Sequence, residues 1–164
     1  MKLKIFIITI AALLLSNTGF SQNIVNLQVN IGGLILERTY SHTEVIAIMG
    51  EPLNYEHLIN SESYESSDVR IYTYGNNKFI IEDNLFDNFV LEDSTYKING
   101  IFGVGDFVSK IYELPHNEII HTPEQTGPEK YLLLFRGEEE DRSPMYITVV
   151  NGIIVKINFF VDNL

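Results

Sequence analysis

The sequence predicts an α+β fold built from two tandem repeats. Each repeat is a short helix followed by three to four antiparallel strands, with the helices packed on one face of the sheet. Three observations point there. The segments TEVIAIMGEP (Thr43 to Pro52) and DFVSKIYELP (Asp106 to Pro115) share one apolar spacing, and both stop at proline. Each is followed by a polar stretch and then by runs with the two-residue alternation of half-buried strands. Turn signals, chiefly Gly75 and Asn151-Gly152, separate those runs.

The chain opens with MKLKIFIITIAALLLSNTGFSQ, residues 1–22. Lys2 and Lys4 give a basic start, Ile5 to Leu15 an apolar run, and Gly19 to Gln22 a small and polar exit. That layout predicts a secretory signal peptide cut near Ser21 or Gln22, with an apolar run too short for a membrane span. The alternative is an uncleaved anchor. The chain has no Cys, so an exported, periplasmic or secreted protein with neither disulfides nor a lipoprotein anchor is expected. Residues 23–164 suit a single mature domain, with repeat 1 over about 32–99 and repeat 2 over about 100–164.

In the first helix Val45, Ile48 and Met49 form an i, i+3, i+4 stripe. Setting Val45 on Val108 places Ile48 on Ile111, Met49 on Tyr112 and Pro52 on Pro115. Thr43 and Asp106 are both residue types that cap helix starts. Ser41 with Glu44 reads as a capping box, which moves the first helix start earlier. Gly50 fits the helix exit.

Polar loops are expected over LNYEHLINSESYESSD after Pro52 and HNEIIHTPEQTGPE after Pro115. Then come the strand runs VRIYTYG against YLLLFRG, KFIIED against MYITVV, and LFDNFVLED against IIVKINFFVD. Asn151-Gly152 between two apolar runs signals a tight hairpin. Alternation puts Val69 and Ile71 opposite Arg70, Tyr72 and Tyr74, and Phe79 and Ile81 opposite Lys78, Ile80 and Glu82. In the last run Val155, Ile157 and Phe159 oppose Ile154, Lys156, Asn158 and Phe160. The first-named face of each is expected under the helices, and the other in water. A single irregular α+β domain with one sheet is the alternative.

The layout of a helix such as TEVIAIMGEP, a loop and antiparallel strands, given twice, resembles the two-repeat architecture of the β-lactamase-inhibitor-protein-like fold. The single unit is similar to the small outer-membrane lipoprotein of the β-barrel assembly machinery. The resemblance implies an exported protein that works by binding other proteins. It carries over no inhibitory residue.

Charge and motifs narrow the chemistry. The formal charge is −11, and removal of Lys2 and Lys4 makes it more negative still. Phosphate contacts need clustered cations, so nucleic acid and anionic membranes are poor partners. His116, Glu118 and His121 in HNEIIH match neither the helical pair of zinc proteases nor a zinc-finger pair. No G-x-S-x-G elbow is present, and Gly103-x-Gly105 lacks the rest of a P-loop. The acidic run Glu138 to Asp141 lacks the spacing of a calcium loop. No catalytic, metal or cofactor residues are assigned.

The aromatics point elsewhere. Tyr and Arg concentrate binding energy at protein interfaces. Arg70, Tyr72, Tyr74, Tyr146, Lys156 and Phe160 fall together on the expected outward face. The sequence therefore predicts an exported, non-catalytic protein-binding module whose site is that face. Two alternatives stand beside it: an exported hydrolase using His and carboxylates in a loop-lined cleft, and a structural envelope component.

Overall fold

The computed structural model describes residues 28–60, 67–114, 118–122, 127–136 and 142–160. The expected signal peptide, His116 and the acidic run at Glu138 to Asp141 lie outside the described residues. Strands dominate: among the described residues 56% are in strands and 13% in two helices. Two antiparallel sheets share one core, so the expected tandem helix-plus-strand α+β repeat is not the fold.

The small sheet has four two-residue strands: β1 (Asn30–Ile31), β2 (Leu34–Ile35), β8 (Lys97–Ile98) and β9 (Phe102–Gly103), in the order β2-β1-β8-β9. The large sheet has nine. Its order is β10 (Glu118–Thr122), β11 (Glu129–Arg136), β12 (Arg142–Val150), β13 (Ile153–Phe159), β7 (Leu85–Leu91), β6 (Asn77–Glu82), β5 (Ser67–Tyr74) and β4 (Asn54–Asn60). The ninth, β3 (Arg38–Thr39), pairs with the start of β7. Two meanders, β4 to β7 and β10 to β13, are thus joined where β13 lies beside β7.

The turns follow from local chemistry. Asn151 (φ 53°) and Gly152 (φ 76°) connect β12 to β13. Asp83 (φ 47°) and Asn84 (φ 70°) connect β6 to β7. Two consecutive positive φ angles match the right-handed strand twist, and Asn, Asp and Gly tolerate them best. Gly75 (φ 62°) opens the β5–β6 turn, where a polar clasp holds it. The Asp93 carboxylate accepts from the Asn76 amide at 2.9 Å and the Asn77 carboxamide at 2.6 Å. The Thr95 hydroxyl and these donors hold that carboxyl well below the usual range.

The helix α1 (His42–Met49) starts where the capping box places it. The Glu44 amide donates to the Ser41 hydroxyl at 3.3 Å, and the Ser41 amide donates to the Glu44 carboxylate at 2.7 Å. Gly50 (φ 82°) ends it. The second expected helix is instead a six-residue 3-10 turn, Val108–Glu113, whose cap position Phe107 has no side-chain capping bond. Asp106 is engaged elsewhere. Its carboxylate accepts from Lys110 and Lys97, each at 2.9 Å, and from the Gly103 amide at 3.0 Å. Those lysines hold its carboxyl down at about 2.

One face of the large sheet meets the small sheet and both helical segments. Tyr72, Phe79, Phe89, Phe159 and Met145 form a buried row across it, each opposite the next in register. Ile31, Leu34, Ile98 and Phe102 from the small sheet, Val45 of α1 and Ile111 of the 3-10 turn belong to the same core. Packing of the β1–β2 turn on α1 is close: a Cβ on Gly33 would sit 2.8 Å from the Ile48 side chain.

Candidate functional site

β5 runs in the opposite phase to the expected one. Arg70 (5% exposed), Tyr72 (0%) and Tyr74 (9%) face the core, while Val69, Ile71 and Thr73 are only half-buried on the other side. The six residues assigned to an open aromatic face therefore do not share it. The phase is set by cross-strand partners, since Tyr72 lies opposite Phe79 and Arg70 opposite Ile81. It is made tolerable by partners for both Tyr hydroxyls and for Arg70 Nη2, as buried polar groups require, while Arg70 Nε makes no hydrogen bond and lies 3.7 Å from Asp68 Oδ1. The Tyr72 hydroxyl lies 3.0 Å from His42 Nδ1, and the Tyr74 hydroxyl donates to the Gly50 carbonyl at 2.8 Å. These two bonds tie both ends of α1 to β5. Burial pushes the Tyr74 hydroxyl up to about 12 and raises Tyr72. Arg70 Nη2 donates to Asn84 Oδ1 at 2.6 Å and to the Tyr40 carbonyl at 3.4 Å.

Tyr146, Lys156 and Phe160 do lie on the outer side. Tyr146 is 42% exposed and Phe160 39%. Register places Tyr146 between Leu132 of β11 and Asn158 of β13, with Val90 of β7 beyond. Lys156 pairs with Glu92 at 2.6 Å and lies opposite Thr148, which lies opposite Lys130. Lys78 is on the same side, opposite Val90. The outer face is thus a band of half-buried apolar groups (Ile71, Ile80, Val90, Leu132) carrying two exposed aromatics, with the lysines balanced by Glu56, Glu82 and Glu92 on the same side. A bulge between Thr148 and Val149 puts Ile154 opposite Val149 in the core and leaves Val155 exposed, the reverse of the expected faces for those two residues.

The histidines separate. His57 Nε2 lies 2.8 Å from Asp68 Oδ1 at the β4 edge, and His121 Nε2 lies 3.5 Å from Glu129 Oε2 at the β10 edge. His121 also stacks on Tyr131, with centroids 4.3 Å apart. The hydrolase alternative needs one His with two acids, and Glu56 points to the sheet face opposite His57. Among the described residues, no group of three or more His, Asp and Glu is placed to hold a metal ion. No helix among them is long and apolar enough to cross a membrane.

Two elements of this surface lie inside the stretches expected to be polar loops. These are β4 and β10, the two edge strands. The described side chains of β4 are all exposed, Tyr55, His57, Leu58 and Ile59 included. A pair of adjacent apolar residues beside an aromatic, Tyr55 and Leu58-Ile59, was the signal available for it.

No family model, no curated protein and no solved structure matches this chain.

Proposed function

We propose that this is an exported protein-binding module that engages a partner protein on the outer face of its large sheet. One observation supports it most: a nine-stranded sheet has one face built into the core, while the other presents Tyr146 and Phe160 over a band of half-buried apolar groups. An apolar band rimmed by polar groups, carrying aromatics, is the composition of binding surfaces.

The test is partner capture from the native host by the mature chain and by the double variant Tyr146→Ala with Phe160→Ala. Both residues are on the surface, so the variant should fold as the parent does. Capture should fall about thirtyfold or more, since truncating a hot spot costs on the order of 2 kcal/mol. Undiminished capture by the folded variant refutes the outer-face assignment.

A further inference from the structure

The outer face is not the only unpartnered surface. We propose that β4 is an acceptor edge: an extended segment of a partner, alternating apolar with basic residues, adds to the large sheet as a new strand alongside it. This rests on the protein-binding reading above but uses a different surface.

The edge is open and regular. β4 pairs with β5 over seven consecutive residues, Asn54 with Thr73 through Asn60 with Ser67, without a register shift. Among the described residues no strand lies on its other side. Soluble proteins usually blunt such edges with Lys, Pro, a bulge or short length. β4 has no Lys, Arg, Pro or bulge, and its only carboxylate is Glu56. It carries apolar side chains on both faces, with Leu58 51% exposed, Ile59 70% and the preceding Leu53 80%. Main-chain groups on a free edge supply affinity for an extended segment, and alternate side chains supply specificity.

The two faces of the edge differ. Tyr55, His57 and Ile59 share the core-side face, where the Tyr55 ring lies 4.6 Å from His42 and 5.1 Å from Tyr72. An apolar residue of the incoming strand fits against that aromatic shelf. Asn54, Glu56 and Leu58 share the outer face, where a Lys or Arg meets Glu56.

Charge decides between occupants. The acids near this edge, Glu51, Glu56, Asp68 and Asp83, are solvent-accessible. The nearest Arg, Arg70, is buried, held by Asn84 and Tyr40 and 3.7 Å from Asp68, so it offsets Asp68 but not Glu51, Glu56 or Asp83, and Lys78 lies on β6, two strands in. The chain carries −11 overall. A second copy brings the same acidic edge to an antiparallel pairing, whereas like charges across strands destabilise. A basic strand is favoured at long range and in contact.

The test uses the full chain and three labelled seven-residue peptides: alternating Val and Lys, Val and Ser, and Val and Glu. Affinity is read by fluorescence anisotropy, and the site by amide hydrogen exchange over Leu53–Asn60. The Val/Lys peptide should bind at least about tenfold more tightly than the Val/Glu peptide, slow exchange in β4, and weaken with added salt. Glu56→Lys should narrow or reverse that preference. Equal affinity for all three peptides, or unchanged β4 exchange when a peptide is bound, overturns the proposal. So does slow β4 exchange with dimer formation in the absence of peptide, which makes a second copy the occupant. Tyr146→Ala should leave peptide binding unchanged; loss of peptide binding in that variant moves the peptide to the outer face and overturns the edge assignment. Failure of every peptide to bind, with the natural partner still captured through Tyr146, refutes the edge site alone.

Discussion

Asp87 gives the sharpest quantitative prediction. It lies in β7 at a bulge, where Ile80 pairs with Asn88 and Ile81 with Phe86, so Asp87 is the extra residue. The bulge turns it inward, and it is 3% exposed. The Asn88 side-chain carboxamide donates to its Oδ1 at 3.0 Å. Burial, reinforced by the negative Glu82 nearby, pushes its carboxyl from 3.8 up to about 6. The sign follows from linkage. Below the unfolded value both states hold the proton and the group costs nothing. As pH rises from about 4 through 6, the unfolded chain releases its proton first, so stability falls. Above that window the folded state carries an ionised buried carboxylate. A shift of about two units corresponds to about 3 kcal/mol at the plateau. Asp87→Asn keeps an oxygen acceptor for Asn88 and removes the charge. It should therefore gain about 2–3 kcal/mol over the parent at pH 7 and close to nothing at pH 4. Urea denaturation followed by far-ultraviolet circular dichroism at pH 4 to 8 measures both proteins. The difference between them isolates this group from the other carboxylates. A difference that does not change with pH, or a variant less stable at pH 7, refutes the reasoning.

Three further outcomes are expected. Tyr72→Ala, in the core rather than on the surface, should cost about 3–5 kcal/mol, and Tyr72→Phe about 1 kcal/mol for the lost bond to His42, both read by urea denaturation. Asp106→Asn should cost about 1 kcal/mol at pH 7, because its lysine partners are largely solvent-accessible. Because the folded carboxyl is depressed to about 2, that contribution is present above pH 4 and lost as pH falls toward 2, so the variant's deficit should vanish in acid. Gly103→Ala should destabilise by about 1–3 kcal/mol, since its Cβ would sit 2.5 Å from the Tyr96 backbone carbonyl; a variant melting with the parent contradicts that.

Some of this fold was legible and some was not, for physical reasons. Ser41 and Glu44 announced the start of α1, and Asn151-Gly152 the β12–β13 turn, because each motif carries its own geometry. The strands at Asn77–Glu82 and Ile153–Phe159 show alternation because one of their faces is buried. β4 hid in a polar stretch because an edge strand exposed on both sides has no face to mark. The two-residue strands of the small sheet are too short for any period to show.

β5 misled for a different reason. In Val69-Arg70-Ile71-Tyr72-Thr73-Tyr74 both faces are strand-like, one β-branched and one aromatic. Only distant partners decide between them: His42, Gly50 and Asn84 bond to Tyr72, Tyr74 and Arg70 Nη2 of the inward set. Val108-x-x-Ile111-Tyr112 likewise fits a 3-10 turn as well as an α-helix, and Asp106 turned to Lys97 and Lys110 instead of capping. Half of the proposed aromatic site moved into the core as a result. Tyr146, Lys156 and Phe160 stayed outside because the phase of β13 is fixed by Ile157 and Phe159.

The most direct measurement of the binding role is site-specific photo-crosslinking in the native host. A benzophenone side chain is placed at Tyr146 on the outer face and, as a control that is more exposed still, at Tyr112 on the 3-10 turn. The account predicts a discrete crosslinked protein at position 146 and none at 112. No adduct at 146, or the same adducts at both positions, contradicts it.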